Sequence, residues 1–110
     1  MSREIRNVIA VLRGRLEPAR LVVGGNHYDA WLYGAIDPLS GTIIMRQASK
    51  AFGDEMLKGY EPRRTLVFAA WDGEEMGLIG STEFTERLVA RLGAQSVAYV
   101  NLDCPVKGDF

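Results

Sequence analysis

Thr65-Leu66-Val67-Phe68-Ala69-Ala70-Trp71 is the segment that most restricts what this chain can become. Seven residues without a charge, rich in β-branched and aromatic types, read as a strand buried on both faces, as in the interior of a parallel sheet. The run ends abruptly at Asp72-Gly73-Glu74-Glu75, a polar, glycine-bearing loop. A buried parallel strand needs neighbours and helical crossovers, so the segments on either side are expected to supply them.

They do. Asn7–Arg15 is rich in aliphatic residues (Val8, Ile9, Val11, Leu12) and reads as a strand, followed by a turn over Leu16-Glu17-Pro18-Ala19, where proline presets the bend. Leu21-Val22-Val23-Gly24-Gly25 reads as a second strand, expected to pair with the first as a hairpin. Asn26–Ser40 is a loop, and from Gly41 the period becomes helical, with Ile44, Ala48, Ala51 and Phe52 on one face up to about Gly53 or Leu57. After Asp72–Gly80, Ser81 is placed to cap a helix that carries Glu83 and Glu86 early and Arg87 and Arg91 late, with Gly93 placed to end it. Gln95–Asp103 reads as a fourth strand. The order β-β-α-β-α-β implies an α/β fold, a mixed sheet with flanking helices.

Composition excludes several classes. With 13 Lys+Arg against 14 Asp+Glu the net charge is −1, which disfavours nucleic acid or an anionic membrane as partner. No apolar run reaches the roughly 18 residues of a membrane span, and Met1-Ser2-Arg3-Glu4 is not followed by the apolar stretch of a signal peptide. Cys104 is the only cysteine, so there is no internal disulfide. Its expected role is that of a small buried hydrophobe, and Trp31 and Trp71 are expected to pack. The chain is expected to be one domain over residues 1–110, and a partial one, because no helix follows Asp103 to cover the second face of the sheet.

Where the polar residues fall on this scheme matters more than their number. His27 and Asp29 follow strand two, Asp37 precedes the first helix, Glu74 and Glu75 follow strand three and Asp103 closes strand four. Open α/β sheets bind ligands outside the carboxyl ends of their strands. Five carboxylates meeting there without a cation would repel one another and take up protons. A divalent metal resolves that conflict, and one imidazole with several carboxylates suits zinc while tolerating manganese or cobalt. Each residue also has a plain reading: a hydrogen-bonded structural histidine, a solvated Glu-Glu loop, an Asp-Pro turn, an aspartate capping a strand. Together, at three strand ends, they favour a metal site.

Four blocks carry a family resemblance: His27-Tyr28-Asp29-Ala30-Trp31, Gly34–Gly41, Phe68–Glu83 and Tyr99-Val100-Asn101-Leu102-Asp103. In order and spacing they resemble the glutamate carboxypeptidase II group of zinc peptidases, the N-acetylated α-linked acidic dipeptidase-like enzymes related to the transferrin receptor. The resemblance runs from about Asn7 to Gly108. It implies that His27 and Asp103 bind a first zinc ion, that Asp37 bridges two zincs and that Glu75 binds the second. Glu74 would be the general base, and Asp29 would accept a hydrogen bond from the ring nitrogen of His27 that faces away from metal. The second zinc of the family takes a further histidine from downstream, and no histidine follows His27. One complete zinc ligand set and part of another are therefore expected, in a fragment of a two-zinc exopeptidase with little or no activity by itself.

The resemblance also implies a peptide substrate, a homodimeric parent, and a membrane-tethered catalytic part outside the cytosol or in an endomembrane lumen. The transferrin-receptor branch keeps the fold without the ligands, whereas this chain keeps them. The alternatives are a receptor-like interaction module without catalysis, or a truncated product without independent function.

Overall fold

A computed structural model describes residues 4–106. Met1–Arg3 and the far end of the family resemblance, at residues 107–108, lie outside the described residues. The elements are β1 (Val8–Leu12), β2 (Glu17–His27), α1 (Leu39–Leu57), β3 (Arg64–Trp71), α2 (Ile79–Arg87), α3 (Val89–Gln95) and β4 (Ser96–Asn101). The four strands form one mixed sheet in the order β1-β3-β2-β4. The second helical stretch is divided at Leu88, so its C-terminal half is a short helix of its own that continues past Gly93 to Gln95.

The apolar β3 takes an interior place, parallel to β2 and antiparallel to β1. The hairpin expected of β1 and β2 is not formed. Both strands flank β3 instead, because β3 offers an apolar strand whose two edges need partners. Gly14 makes the crossing from one side to the other feasible. A Cβ there would stand 2.4 Å from the backbone carbon of Arg64, so the chain passes over the start of β3 only where there is no side chain.

The turn expected at Leu16–Ala19 is also replaced. Residues 15–17 run alongside 62–64, with the amides of Leu16 and Glu17 donating to the carbonyl of Arg63. The register then slips between Glu17 and Leu21, which lets Pro18, without an amide hydrogen, sit in a bulge rather than in the ladder. Thr65 Oγ1 donates to the Pro18 carbonyl at 2.8 Å and accepts from the Gly14 amide at 3.0 Å.

Side chains alternate between the two faces of the sheet. Toward α2 and α3, Leu21, Val23 and Val67 are buried and Leu92 packs on them, while Trp71 meets Phe84 at a centroid distance of 5.1 Å. On the other face Met45 of α1 lies over Gly24, and Phe52 meets Phe68 at 6.1 Å. The helix turns its Gly41–Met45 side inward. Ile44 and Phe52, expected to lead the buried face, sit at its margin with about two-fifths of their surface exposed. Every residue of β4 is exposed, as befits a strand paired on one edge only. No described helix is long and apolar enough to cross a membrane.

At the end of the sheet away from His27, Glu17 accepts hydrogen bonds from Arg63 at 2.5 Å and from Arg64 at 2.7 Å. The two guanidinium groups hold its carboxyl down at about 2, against an ordinary 4.5. A carboxyl lowered on folding contributes stability above its unfolded pKa and loses it as pH falls through the folded one. Glu17→Gln should therefore lower the urea midpoint at pH 7. The gap to wild type should close between about pH 4.5 and 2. A gap that is the same at both ends of that range would show that the charge of Glu17 is not what stabilises this corner.

Candidate metal centre

β2 runs parallel to β3 and β4, so the carboxyl ends of three strands emerge on one side of the sheet. His27 is the last residue of β2, pairs in register with Trp71, and is buried. Glu74 and Glu75 follow on the loop after β3, Asp103 lies two residues beyond β4, and Asp37 precedes α1. The six residues singled out from the sequence, Asp29 included, thus converge.

His27 is the hub. Its Nε2 lies 2.8 Å from Asp103 Oδ1 and 3.0 Å from Asp37 Oδ1. Its Nδ1 lies 3.0 Å from the carbonyl oxygen of Asp29, and 3.8 Å from Glu74 Oε2. Among the described residues, two groups each bring candidate ligand atoms within 4.8 Å of one another: His27 with Asp37 and Asp103, and His27 with Glu74 and Glu75. The first is the set that the resemblance assigns to one ion. In the second, Glu75 stands with His27 and Glu74 rather than with Asp37.

Asp29 differs from its expected role. The partner at hydrogen-bond distance from His27 Nδ1 is the Asp29 backbone carbonyl, with the carboxylate at 3.6 Å. The carboxylate is engaged by the loop that bears the glutamates, accepting from the amides of Glu74 (3.0 Å) and Glu75 (3.2 Å). Two amide donors hold a carboxylate more firmly than one distant imidazole, so Asp29 ties the glutamate loop to the end of β2.

The electrostatics are one-sided. Among the described residues, no Lys or Arg forms an ion pair with Asp29, Asp37, Glu74, Glu75 or Asp103. Burial works against protonation of His27, yet the carboxylates of Asp103, Glu74 and Asp37 outweigh it and raise the imidazole above its usual value. Burial also raises Glu74, and the charges of Asp103, Glu75 and Asp29 add to this against the pull of His27. A divalent cation fits this donor set. With Nδ1–H directed at the Asp29 carbonyl, the neutral tautomer aims the Nε2 lone pair between two carboxylate oxygens, an arrangement of one nitrogen and two oxygens suited to a metal ion.

Gly41 is what allows the approach. A Cβ there would lie 1.7 Å from the Leu102 carbonyl oxygen and 2.7 Å from that of Asp103, so a side chain would drive α1 away from the end of β4. Beside the cluster opens an apolar cleft of about 510 Å³, whose wall includes Trp71, Leu78, Phe84 and Tyr99.

Several expectations change here. Cys104 is exposed rather than buried. Partial desolvation by its neighbours, with the Asp103 and Asp37 charges, raises its thiol, which is opposite to what a nucleophile needs. Trp71 packs as expected, but Trp31 is 65% exposed on the loop before Asp37. Ser81 does not cap α2: Leu78, at φ 59°, starts that helix without a side-chain cap, and Ser81 Oγ donates to the Leu78 carbonyl.

The sequence reading missed Asn7, which accepts from the Asp72 amide (3.1 Å) and donates to the Gly80 carbonyl (2.7 Å), clasping both ends of the glutamate loop. A polar residue at the head of an apolar strand was the only signal available for it.

Known proteins resemble this chain in sequence and in fold. The chain is 49% identical over 104 residues to the glutamate carboxypeptidase 2 homolog of Caenorhabditis briggsae, covering 94% of this chain and 14% of that protein. It is 48% identical over 101 residues to aminopeptidase NAALADL1 of Mus musculus, covering 91% and 14%. Among solved structures, the zinc aminopeptidase BSAP of Bacillus subtilis superposes with a TM-score of 0.75 at 28% identity, over 89% of this chain and 24% of that one. The chain thus spans about one-seventh of the length of these curated relatives. The sequence model of Peptidase family M28 matches residues 7–109, and the chain belongs to that family.

Proposed function

We propose that this chain is the metal-binding part of a zinc-dependent exopeptidase, in which His27, Asp37 and Asp103 hold one ion and Glu74 is the general base. The observation that carries the reading is the pair of carboxylate oxygens on one imidazole nitrogen, with no Lys or Arg ion-paired to them among the described residues. The half-exposed Asp37 is proposed to serve a second ion as well, together with Glu75. That second set would need a histidine beyond this chain, since His27 is its only one. Zinc is proposed over other divalent ions because a solved relative is a zinc aminopeptidase, and cleavage at a chain end because relatives are named carboxypeptidase and aminopeptidase.

When bound, zinc supplies Lewis acidity toward the peptide carbonyl and lowers the pKa of water. The rest is the work of side chains. Glu74, with its backbone amide held by the Asp29 carboxylate, takes a proton from the attacking water as the oxygen–carbon bond forms. It returns the proton to the leaving nitrogen as the carbon–nitrogen bond breaks. Asp29 holds Glu74 and Glu75 at their amides, leaving both side chains available for these separate tasks. For the parent we propose a peptide substrate, a homodimer, and a membrane-tethered position outside the cytosol or in an endomembrane lumen, on the family resemblance alone. Alone, the chain is expected to turn over substrate weakly or not at all.

Two measurements test this. Elemental analysis of the purified chain at neutral pH without chelator should find about one zinc per chain, as the one full ligand set requires. A folded chain without zinc would sink the metal reading. In the parent polypeptide, Glu74→Gln should reduce kcat by roughly 10²–10⁴-fold with zinc content unchanged, the usual worth of a general base. Retained turnover would remove Glu74 from that role.

A further inference from the structure

Asn26 precedes His27 on β2 and is 2% exposed, yet it belongs to no ligand set. Its amide nitrogen donates twice, to the Pro38 carbonyl at 3.2 Å and to Thr42 Oγ1 at 3.0 Å. The Thr42 hydroxyl, having accepted that bond, donates its own proton to the His27 carbonyl at 2.8 Å. The Pro38 carbonyl also accepts the Thr42 amide at 3.0 Å in the first turn of α1. These bonds form a closed circuit. It joins the residue after Asp37, the residue before His27, and His27 itself.

Both amide hydrogens of Asn26 and both functions of the Thr42 hydroxyl are committed to this circuit. The cost is visible in Asn26 Oδ1, which is buried and without a partner among the described residues. An orphaned buried acceptor disfavours folding, and an apolar residue would avoid it. What the amide provides instead is direction: two bonds that fix the Asp37–Pro38 segment against the end of β2.

We propose that Asn26 and Thr42 are positioning residues, which set the separation of Asp37 from His27 and thereby the affinity of the site for its ion. This rests on the reading of His27 and Asp37 as metal ligands. Neither residue touches the ion, because both act through the backbone carbonyls of Pro38 and His27.

The test compares Thr42→Val, which keeps the shape and removes the hydroxyl, with Thr42→Ser, which keeps the hydroxyl. Zinc affinity is measured by competition with a chromophoric chelator, and thermal unfolding is followed separately in EDTA. Thr42→Val should weaken zinc binding by roughly 10–100-fold, as loss of partners behind metal ligands does, while still unfolding cooperatively without metal. Thr42→Ser should restore wild-type affinity. If Thr42→Val does not fold, Asn26→Ala, which cuts the two amide bonds, makes the same comparison. Wild-type affinity in the folded variant overturns the proposal while the metal reading stands, and so does a Thr42→Ser protein as weak as Thr42→Val. A wild-type chain that binds no zinc overturns both.

Discussion

The parallel pairing of β2 with β3 and β4 is the constraint on which the site depends. It brings the ends of three strands out of the sheet side by side, and His27 stands at the last rung of the ladder, opposite Trp71. A one-residue slip of β2 would turn the imidazole to the α1 face and replace it with Asn26 or Tyr28. The ladder continues past the strands: the Tyr28 amide donates to the Trp71 carbonyl and the Leu102 amide to the Gly25 carbonyl, so the chain is still paired as it enters the site. The position of the ligands is thus a property of the sheet before it is a property of any loop.

Backbone contacts hold what the side chains alone would drive apart. The carboxylates repel one another, yet they are held from behind. Asp29 grips the amides of Glu74 and Glu75, Asn7 clasps the Asp72–Gly80 loop, and Gly41 lets α1 press against the Leu102 and Asp103 carbonyls. Burial, with the neighbouring carboxylates adding to it, raises Glu74, and those carboxylates raise His27 against its own burial.

Much of this could be read in the amino-acid order because it is local. The uncharged run of β3, the helical period after Gly41, and the placing of His27, Glu74, Glu75 and Asp103 at strand ends and of Asp37 just before α1 are short-range patterns. The site's convergence followed from topology alone once the strands were parallel. What escaped was non-local. Nothing near Leu12 or Leu21 records that both strands prefer β3 to each other, and Pro18 signals a turn as readily as the bulge it occupies. The inward side of α1 depends on Met45 meeting Gly24, a contact that periodicity cannot locate. Asp29 could be placed near His27, but which of its oxygens faces the ring depended on the two amides of a loop more than forty residues away.

The position of β3 also sets how far apart in sequence the pairing strands lie. Val8 pairs with Ala70 and Val22 with Leu66, so β1 and β2 each find in β3 a partner more than forty residues further along the chain. Contacts so distant in sequence must overcome loop-closure entropy before they contribute, whereas α1 draws on local ones. The sheet therefore rests on long-range pairing centred on the Thr65–Trp71 run. A change that weakens β3 would accordingly unpair β1 and free one edge of β2 in a single stroke, loosening the end of the sheet from which His27 projects.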